Sequence, residues 1–505
     1  MFKIISAKEA VGIIKDGDCI AVNSFLALSN PEELHEALYK RFVDTGSPKN
    51  LRLFCSASIG GWDENRYADP YIKAGAVSEI VASHYRSSPV AMKMALSGEI
   101  EAYCLPLGLL SHSIRAAAAG KDWLLSEVGV GIYADPRIDT CAINEKSKKE
   151  LLQVREIEGK DYLLYHTPKF DIAFIKGTTV DPNGNISSEK EYLSVDALSL
   201  AQATKRNGGK VIVEVERVSH VFSRPRYVIV PGILVDYVVV CENPIEIMEY
   251  NPALSGDIHV PASHMDYYIN KLSSNKNEAA IKNAAEDDTA GIIGERAARE
   301  LRAGQIVNLG IGFPEMVGIY ASKMGILKDI TITVEAGGIG GLPAPGFAFG
   351  ATIGADIITD MATQFDFYDG GGLDICFLGG LEADKEGNVN AHKLEGSYAG
   401  IGGFANITHA TKTIVFCMSF TTKGLLTTND NGKILIKQEG SIIKFKKHVS
   451  AISFSGKNAI KRGQRVLYVT ERCVFELTEK GLKLKEVYPG IDETCQIRNM
   501  LDFEC

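Results

Sequence analysis

The chain has 505 residues, too many for one ordinary domain, so two or three are expected. Its 45% hydrophobic and 23% charged residues are those of a soluble globular protein, and a net charge of −9 with no strong Lys/Arg cluster argues against nucleic acid as a partner. No stretch approaches the roughly 20 apolar residues of a membrane span, and MFKIISAKEA has no signal-peptide pattern, so a cytoplasmic location with no membrane partner is expected.

The ten cysteines are scattered from Cys19 to Cys505 without a C-x-x-C, which fits reduced thiols better than a disulfide framework or a zinc site. In chain order, KDGDCIAVNSFLALSNPEELHEAL from Lys15 reads as strand, serine-bearing loop and helix. Asn30 and Glu33 form an N-x-x-E capping signature, Pro31 suits the first helical position, and Leu34, Ala37, Leu38 and Phe42 make one apolar face. Trp62 and Trp123 read as packing residues. FDIAFIKGTTVDPNGNIS, Phe170 to Ser187, reads as a buried strand and a Gly-containing turn into the next strand.

His259 and His264 lie in a loop-like stretch at a poor metal-ligand spacing, so core or solvated histidines are expected there. The polar segment 273–288 reads as a linker or exposed helix. From Arg302, RAGQIVNLGIGFPEMVGIYA repeats the strand–loop–helix plan, with Pro314 opening the helix and Met316, Val317 and Tyr320 on its apolar face. DGGGLD, Asp369 to Asp374, shapes a turn before a core strand. Lys444, Lys446 and Lys447 read as a solvated strand edge. Beyond Arg465 comes a β-hairpin turning at Glu479, Lys480 and Gly481, then a short helix.

Internal repetition organises these elements. Asp171, Gly177, Asp181, Gly184 and Asn185 match Asp374, Gly380, Asp384, Gly387 and Asn388 at a constant offset of 203 (374 − 171). Together with the two strand–loop–helix units, this implies a duplicated α/β unit. The expected architecture is two tandem related open-sheet α/β domains, 1–272 and 289–505, each with a largely parallel sheet. From Gly17 to Asp171 is 154 positions but from Gly304 to Asp374 only 70, so the first half carries extra structure, expected between Gly60 and Gly159.

Chemistry concentrates in DITITVEAGGIGGLPAPGFAFG, Asp329 to Gly350. Ile330 to Val334 are all β-branched and read as a strand; Glu335 follows at its end, beside six glycines. Such a glutamate is either a turn residue or a nucleophile open to a ligand. In parallel α/β sheets ligands bind at the carboxyl ends of strands, which is where Glu335 falls. GIGFPE, Gly310 to Glu315, follows a strand and opens a helix, so it is either a tight turn or an anion cradle. GIGGF, Gly400 to Phe404, has the same two readings. There is no H-E-x-x-H, G-x-S-x-G or Walker-A motif, and no support for a metal.

VEAGGIGGLPAPGFAFGA, QFDFYDGGGLD from Gln364, GGFANIT from Gly402, YVTERCVFELTEKGL from Tyr468 and PGID from Pro489 resemble the family I CoA-transferases, most of all the short-chain propionate or acetate type. The likeness covers nearly the whole chain and is densest after Arg302. It implies an acyl-CoA:carboxylate CoA-transferase working by ping-pong exchange. Glu335 would be the nucleophile, passing through an acyl-glutamyl anhydride and a glutamyl-CoA thioester.

The resemblance also implies a backbone oxyanion donor at Gly402 or Gly403, and CoA or substrate contacts from Gly310, Gly312, Gly400, Phe404 and Leu107. It implies no permanently bound cofactor, CoA being substrate and covalent intermediate. The partners implied are acyl-CoA and carboxylic acids, in a homo-oligomer, dimer or tetramer. Two positions depart from the family pattern. Leu107, in CLPLG, stands where relatives usually offer a glutamine as oxyanion donor, and Ala336 follows Glu335 where Ser or Asn is common. With the SFLALS loop, Ser24 to Ser29, Leu107 makes this part of the pocket more apolar than acetate requires. The alternatives are an acyl-CoA hydrolase on the same scaffold, which would release CoA without an acceptor acid, and a non-catalytic sensor.

Overall fold

The structure is a computed structural model describing residues 2–241, 251–256, 258, 260 and 287–504. His259, His264 and residues 273–286 lie outside these. The first sheet has eight strands: β1 (Lys3–Ile4), β2 (Cys19–Val22), β3 (Leu51–Phe54), β4 (Val77–Ala82), β5 (Glu101–Cys104), β6 (Ile172–Lys176), β7 (Lys210–Val215) and β8 (Tyr237–Val240). Their order is β1-β8-β7-β6-β2-β3-β4-β5 and every pairing is parallel. β2 is apolar throughout and β6 is apolar up to its last residue, Lys176, as a parallel sheet covered on both faces requires.

The second sheet has nine strands: β9 (Ile306–Leu309), β10 (Thr331–Thr333), β11 (Gly338–Ile339), β12 (Ile357–Ile358), β13 (Ile375–Leu378), β14 (Thr413–Cys417), β15 (Arg465–Val469), β16 (Cys473–Thr478) and β17 (Gly481–Val487). The order is β12-β11-β10-β9-β13-β14-β15-β16-β17. Its centre is parallel and its two flanks are antiparallel, so this sheet is mixed where a largely parallel one was expected.

The duplication is visible in register. Ile20 faces Ile172 across β2 and β6, and Val307 faces Ile375 across β9 and β13. Asp171 accepts the Cys19 N–H at 2.8 Å, and its repeat partner Asp374 accepts the Ile306 N–H at 2.9 Å. Asp181 and Asp384 each fold the following turn by accepting two backbone N–H groups, and Gly184 and Gly387 take positive φ there (80° and 78°). β3 beside β2 has its counterpart in β10 beside β9, and the extra structure of the first half is β4 and β5 with their helices, and an antiparallel sheet of Trp123–Ser126, Leu152–Ile157 and Lys160–His166.

Helices α1 (Glu32–Thr45), α2 (Leu107–Ala118), α3 (Glu315–Lys323), α4 (Met361–Asp369) and α5 (Phe404–Ala410) matter to the site. Pro31 and Pro314 sit one position outside the first helical residue, as N-caps of α1 and α3. Asn30 does not cap α1: its Oδ1 lies 2.9 Å from His35 Nε2, a buried side chain of the same helix that takes the place of the capping bond. The 444–447 run is a solvated edge only in part: Lys447 is exposed, but the other two lysines are engaged. Lys446 pairs with Glu382, and burial pushes the Lys444 ammonium down to about 8 against the pull of Glu471 and Glu382.

α2 joins the halves. Gly108 N–H donates to Asn406 Oδ1 at 3.1 Å, and a Cβ at Gly108 would lie 2.6 Å from the Phe365 ring. Arg115 and His112 both reach Asp366 (2.6 and 3.1 Å). No helix among the described residues is long and apolar enough to cross a membrane.

Candidate active site

The segments leaving the carboxyl ends of strands in both sheets enclose one cavity of about 660 Å³. From the first sheet come Phe25 and Leu26 after β2, Ala57 after β3, His84 and Arg86 after β4, and Leu107 after β5. From the second come Gly310, Gly312 and Phe313 after β9, Glu335 after β10, and Gly379 to Leu381 after β13. Gly402, Gly403 and Phe404, at the start of α5, complete the wall.

The strand β10 stops at Thr333, and Glu335 occupies the turn beyond it, partly exposed into the cavity. Among the described residues no Lys, Arg or His forms an ion pair with it. Enclosure raises its carboxyl above the ordinary carboxylate range, while its own backbone N–H and the Asn308 amide pull the other way. Asn308, fully buried in β9, donates through Nδ2 to the Thr333 carbonyl (3.2 Å) and the Tyr368 hydroxyl (3.3 Å). Tyr368 in turn donates to Thr333 Oγ1 at 2.9 Å, so the strand end beneath Glu335 is fastened by a buried polar chain.

The glycines after Glu335 serve the protein's own backbone. Cβ atoms at Gly337, Gly338 and Gly341 would come within 2.1 Å of Thr359 O, 1.9 Å of Thr352 Oγ1 and 2.1 Å of Ile353 O respectively. They let residues 352–359 close against the turn, rather than offering N–H groups to a ligand.

The glycines facing Glu335 are those of the α5 loop. A Cβ at Gly403 would lie 3.4 Å from Glu335 Cγ, so this backbone lies beside the Glu335 side chain. The Gly402 N–H already donates to Ser83 O at 3.0 Å, and the Gly402 carbonyl accepts the Leu107 N–H at 3.0 Å. No acceptor among the described residues takes the Gly403 N–H. Gly400 does not line the cavity; it bridges to His84, and its Cβ would lie 2.5 Å from Ser83 O.

The Gly310 loop is partly closed by its own chain. Gly310 N–H donates to Phe377 O at 2.9 Å, and Gly312 N–H donates to Glu315 Oε1 at 3.0 Å. The N–H groups of Ile311 and Phe313 have no acceptor among the described residues. Ile311 is 50% exposed, so this side of the cavity meets solvent.

Of the positions singled out in the sequence, Glu335, Gly402, Gly403, Phe404, Gly310, Gly312 and Leu107 therefore share one cavity and Gly400 stands behind it. Sequence reasoning missed Asn308, His84, Arg86 and Phe349. Asn308 is the one polar residue of IVNL and could have been noticed as such. Burial, helped by Arg86, pushes the His84 imidazole down to about 4, so it is neutral near pH 7. No group of three His, Cys, Asp or Glu side chains able to hold a metal is found among the described residues, where none of the nine cysteines forms a disulfide.

The chain matches the coenzyme A transferase family over residues 4–241 and 292–492. It is 37% identical to caffeate CoA-transferase of Acetobacterium woodii, covering 100% of this chain and 94% of that protein. It is also 37% identical to acetate CoA-transferase YdiF of Escherichia coli K12, covering 99% and 92%. Two solved structures of the YdiF acyl-CoA transferase of E. coli O157:H7, the apoenzyme and a thioester complex with CoA, each superpose with a TM-score of 0.90 at 35% identity, covering 100% of this chain and 93% of theirs. The chain belongs to the coenzyme A transferase family and is a CoA-transferase.

Proposed function

We propose that this enzyme moves CoA from an acyl-CoA to a carboxylic acid through covalent intermediates on Glu335. The observation that carries the reading is a carboxylate with no cationic partner among the described residues, held in an apolar cavity against the Gly403 backbone. A paired surface glutamate would be stabilised by solvent and its counter-ion. An unpaired enclosed one is more reactive when ionised.

A Glu335 oxygen attacks the thioester carbonyl; the C–S bond breaks and CoA thiolate leaves, giving the mixed anhydride. The thiolate attacks the glutamyl carbonyl, the anhydride C–O bond breaks, and the first acid departs, leaving glutamyl-CoA. The second acid then displaces CoA thiolate to form a new anhydride, and the thiolate attacks the new acyl carbonyl, restoring the Glu335 carboxylate. One thioester replaces another at each turnover, so no external energy source is needed.

Each tetrahedral intermediate needs a fixed donor, worth about 3 kcal/mol. The Gly403 N–H suits this role better than the Gly402 N–H, which Ser83 already engages. The Gly310–Phe313 loop, with the free N–H groups of Ile311 and Phe313 at the solvent side, suits CoA. Relatives named for caffeate and for acetate bracket the range of acids such a site serves.

The test is intact-mass analysis after mixing with an acyl-CoA alone. A CoA adduct on the Glu335 peptide is expected, absent in Glu335→Ala; borohydride should reduce its thioester to the alcohol, releasing CoA with permanent loss of activity. Full-rate exchange in Glu335→Ala would refute the reading.

A further inference from the structure

We infer that the acid this enzyme prefers is a monocarboxylate with a bulky uncharged body, branched or aromatic, whose body packs against Phe25, Leu26, Leu107 and Phe349. The inference rests on the transferase reading of Glu335 and deepens it.

The loop after β2 is the first support. Phe25, Leu26, Ala27 and Leu28 are all buried, and Leu26 and Ser29 hold left-handed backbone (φ 55° and 54°) that L-residues seldom adopt. Strain of this kind persists only where the surroundings over-determine it. Here they do, because every polar side chain of the loop is turned to the scaffold. Ser24 Oγ donates to Ser58 O (2.8 Å), Ser29 Oγ to Leu193 O (2.8 Å) and Asn23 Nδ2 to Ser194 O (3.1 Å). The hydroxyls and amide that would suit a small polar acid are thus engaged, and Phe25 and Leu26 are what the loop gives to the cavity.

Phe349 continues the wall, its ring centroid 6.4 Å from that of Phe25. Gly350 beside it has φ 107°, and a Cβ there would lie 2.5 Å from the Phe25 ring, so the two aromatic segments are pressed together. Leu107 carries this surface toward the reacting carboxylate: its N–H binds Gly402 O, and Gly402 adjoins Gly403, which lies beside the Glu335 side chain. Among the described residues no charged side chain lies within this wall. Arg86, the free cation of the lining among the described residues, is exposed at the solvent side, and His84 is neutral. A second carboxylate on the substrate would leave water for an apolar surface.

The experiment measures kcat/KM for acetate, succinate, 4-methylvalerate and 3-phenylpropionate as acceptors, with propionyl-CoA and 3-phenylpropionyl-CoA as donors. The expected result is at least about a ten-fold preference for the two bulky acids over both acetate and succinate. Leu107→Gln should lower the phenylpropionate-to-acetate ratio about five-fold or more, a ratio in which overall losses of rate cancel. Phe349→Ala provides the same readout should the first variant not fold.

Equal or better use of acetate overturns the inference while leaving the transferase chemistry intact. A preference for succinate overturns it in favour of a second carboxylate bound by Arg86. Failure of both donors to form a CoA adduct on Glu335 overturns the underlying reading as well.

Discussion

The two strand–loop–helix units occupy equivalent places in the two sheets yet have diverged in opposite directions. The loop after β2 is buried, apolar and strained, with its polar groups bonded to the scaffold. The loop after β9 is glycine-bearing and open to solvent, and Gly312 reaches φ 85° with nothing within 4 Å of its added Cβ. A duplicated unit need not duplicate a task. One copy furnishes a rigid surface suited to an apolar acid, and the other an accessible backbone suited to a long polar handle.

Removing the group both loops serve gives the largest effect. Glu335→Gln should lower turnover by about 10⁴-fold or more, measured as acyl exchange, since the proposed nucleophile has no substitute in the reaction. Below that comes the wall itself. Leu26→Gly relieves the left-handed strain but removes a buried side chain, two opposing terms of about 1–3 kcal/mol each. Its melting temperature should therefore change little, while kcat/KM for bulky acids falls about ten-fold. A uniform fall for all acids would break the comparison.

The open loop should respond differently. Gly312→Ala strains the backbone by about 1 kcal/mol, so KM for acyl-CoA should rise about five-fold, with the order of acids unchanged. A changed order would mean that both loops touch the acid.

The smallest effect is in pH. Because its carboxyl is raised by enclosure, Glu335 ionises above the ordinary range, and kcat/KM should climb with pH through that displaced value. The stability sign is opposite. A carboxyl whose folded pKa exceeds its unfolded one costs stability as pH rises between the two. Glu335→Gln should therefore melt higher than the parent near pH 7, and the gain should vanish at pH 3. A pH-independent difference would show that ionisation is not its source.

Much of this was legible because the duplication carries its own internal control. The offset linking Asp171 to Asp374 reappears as equal register and as equal hydrogen bonds at two strand starts. Glu335 could be placed because a run of β-branched residues ends just before it.

What sequence could not supply were partners distant along the chain. Gly337, Gly338 and Gly341 read as ligand access because nothing local shows that residues 352–359 close on them. Gly402 and Gly403 looked alike as donors; only Ser83, more than 300 positions away, distinguishes them. Asn308 and Arg86 are single polar residues whose role depends on a cavity that no one segment encloses.

The hydrogen bonds from Gly402 to Ser83 and from Leu107 to Gly402 tie the start of α5 to the first sheet. In the proposed chemistry this makes Gly403 a donor by proxy: its position beside Glu335 depends on residues contributed by the opposite half of the polypeptide. A molecule whose halves had drifted apart would keep its nucleophile and lose the support for the anion that forms there. Acyl exchange would then slow in proportion to the lost donor, so two backbone contacts couple the rate at Glu335 to the docking of the halves.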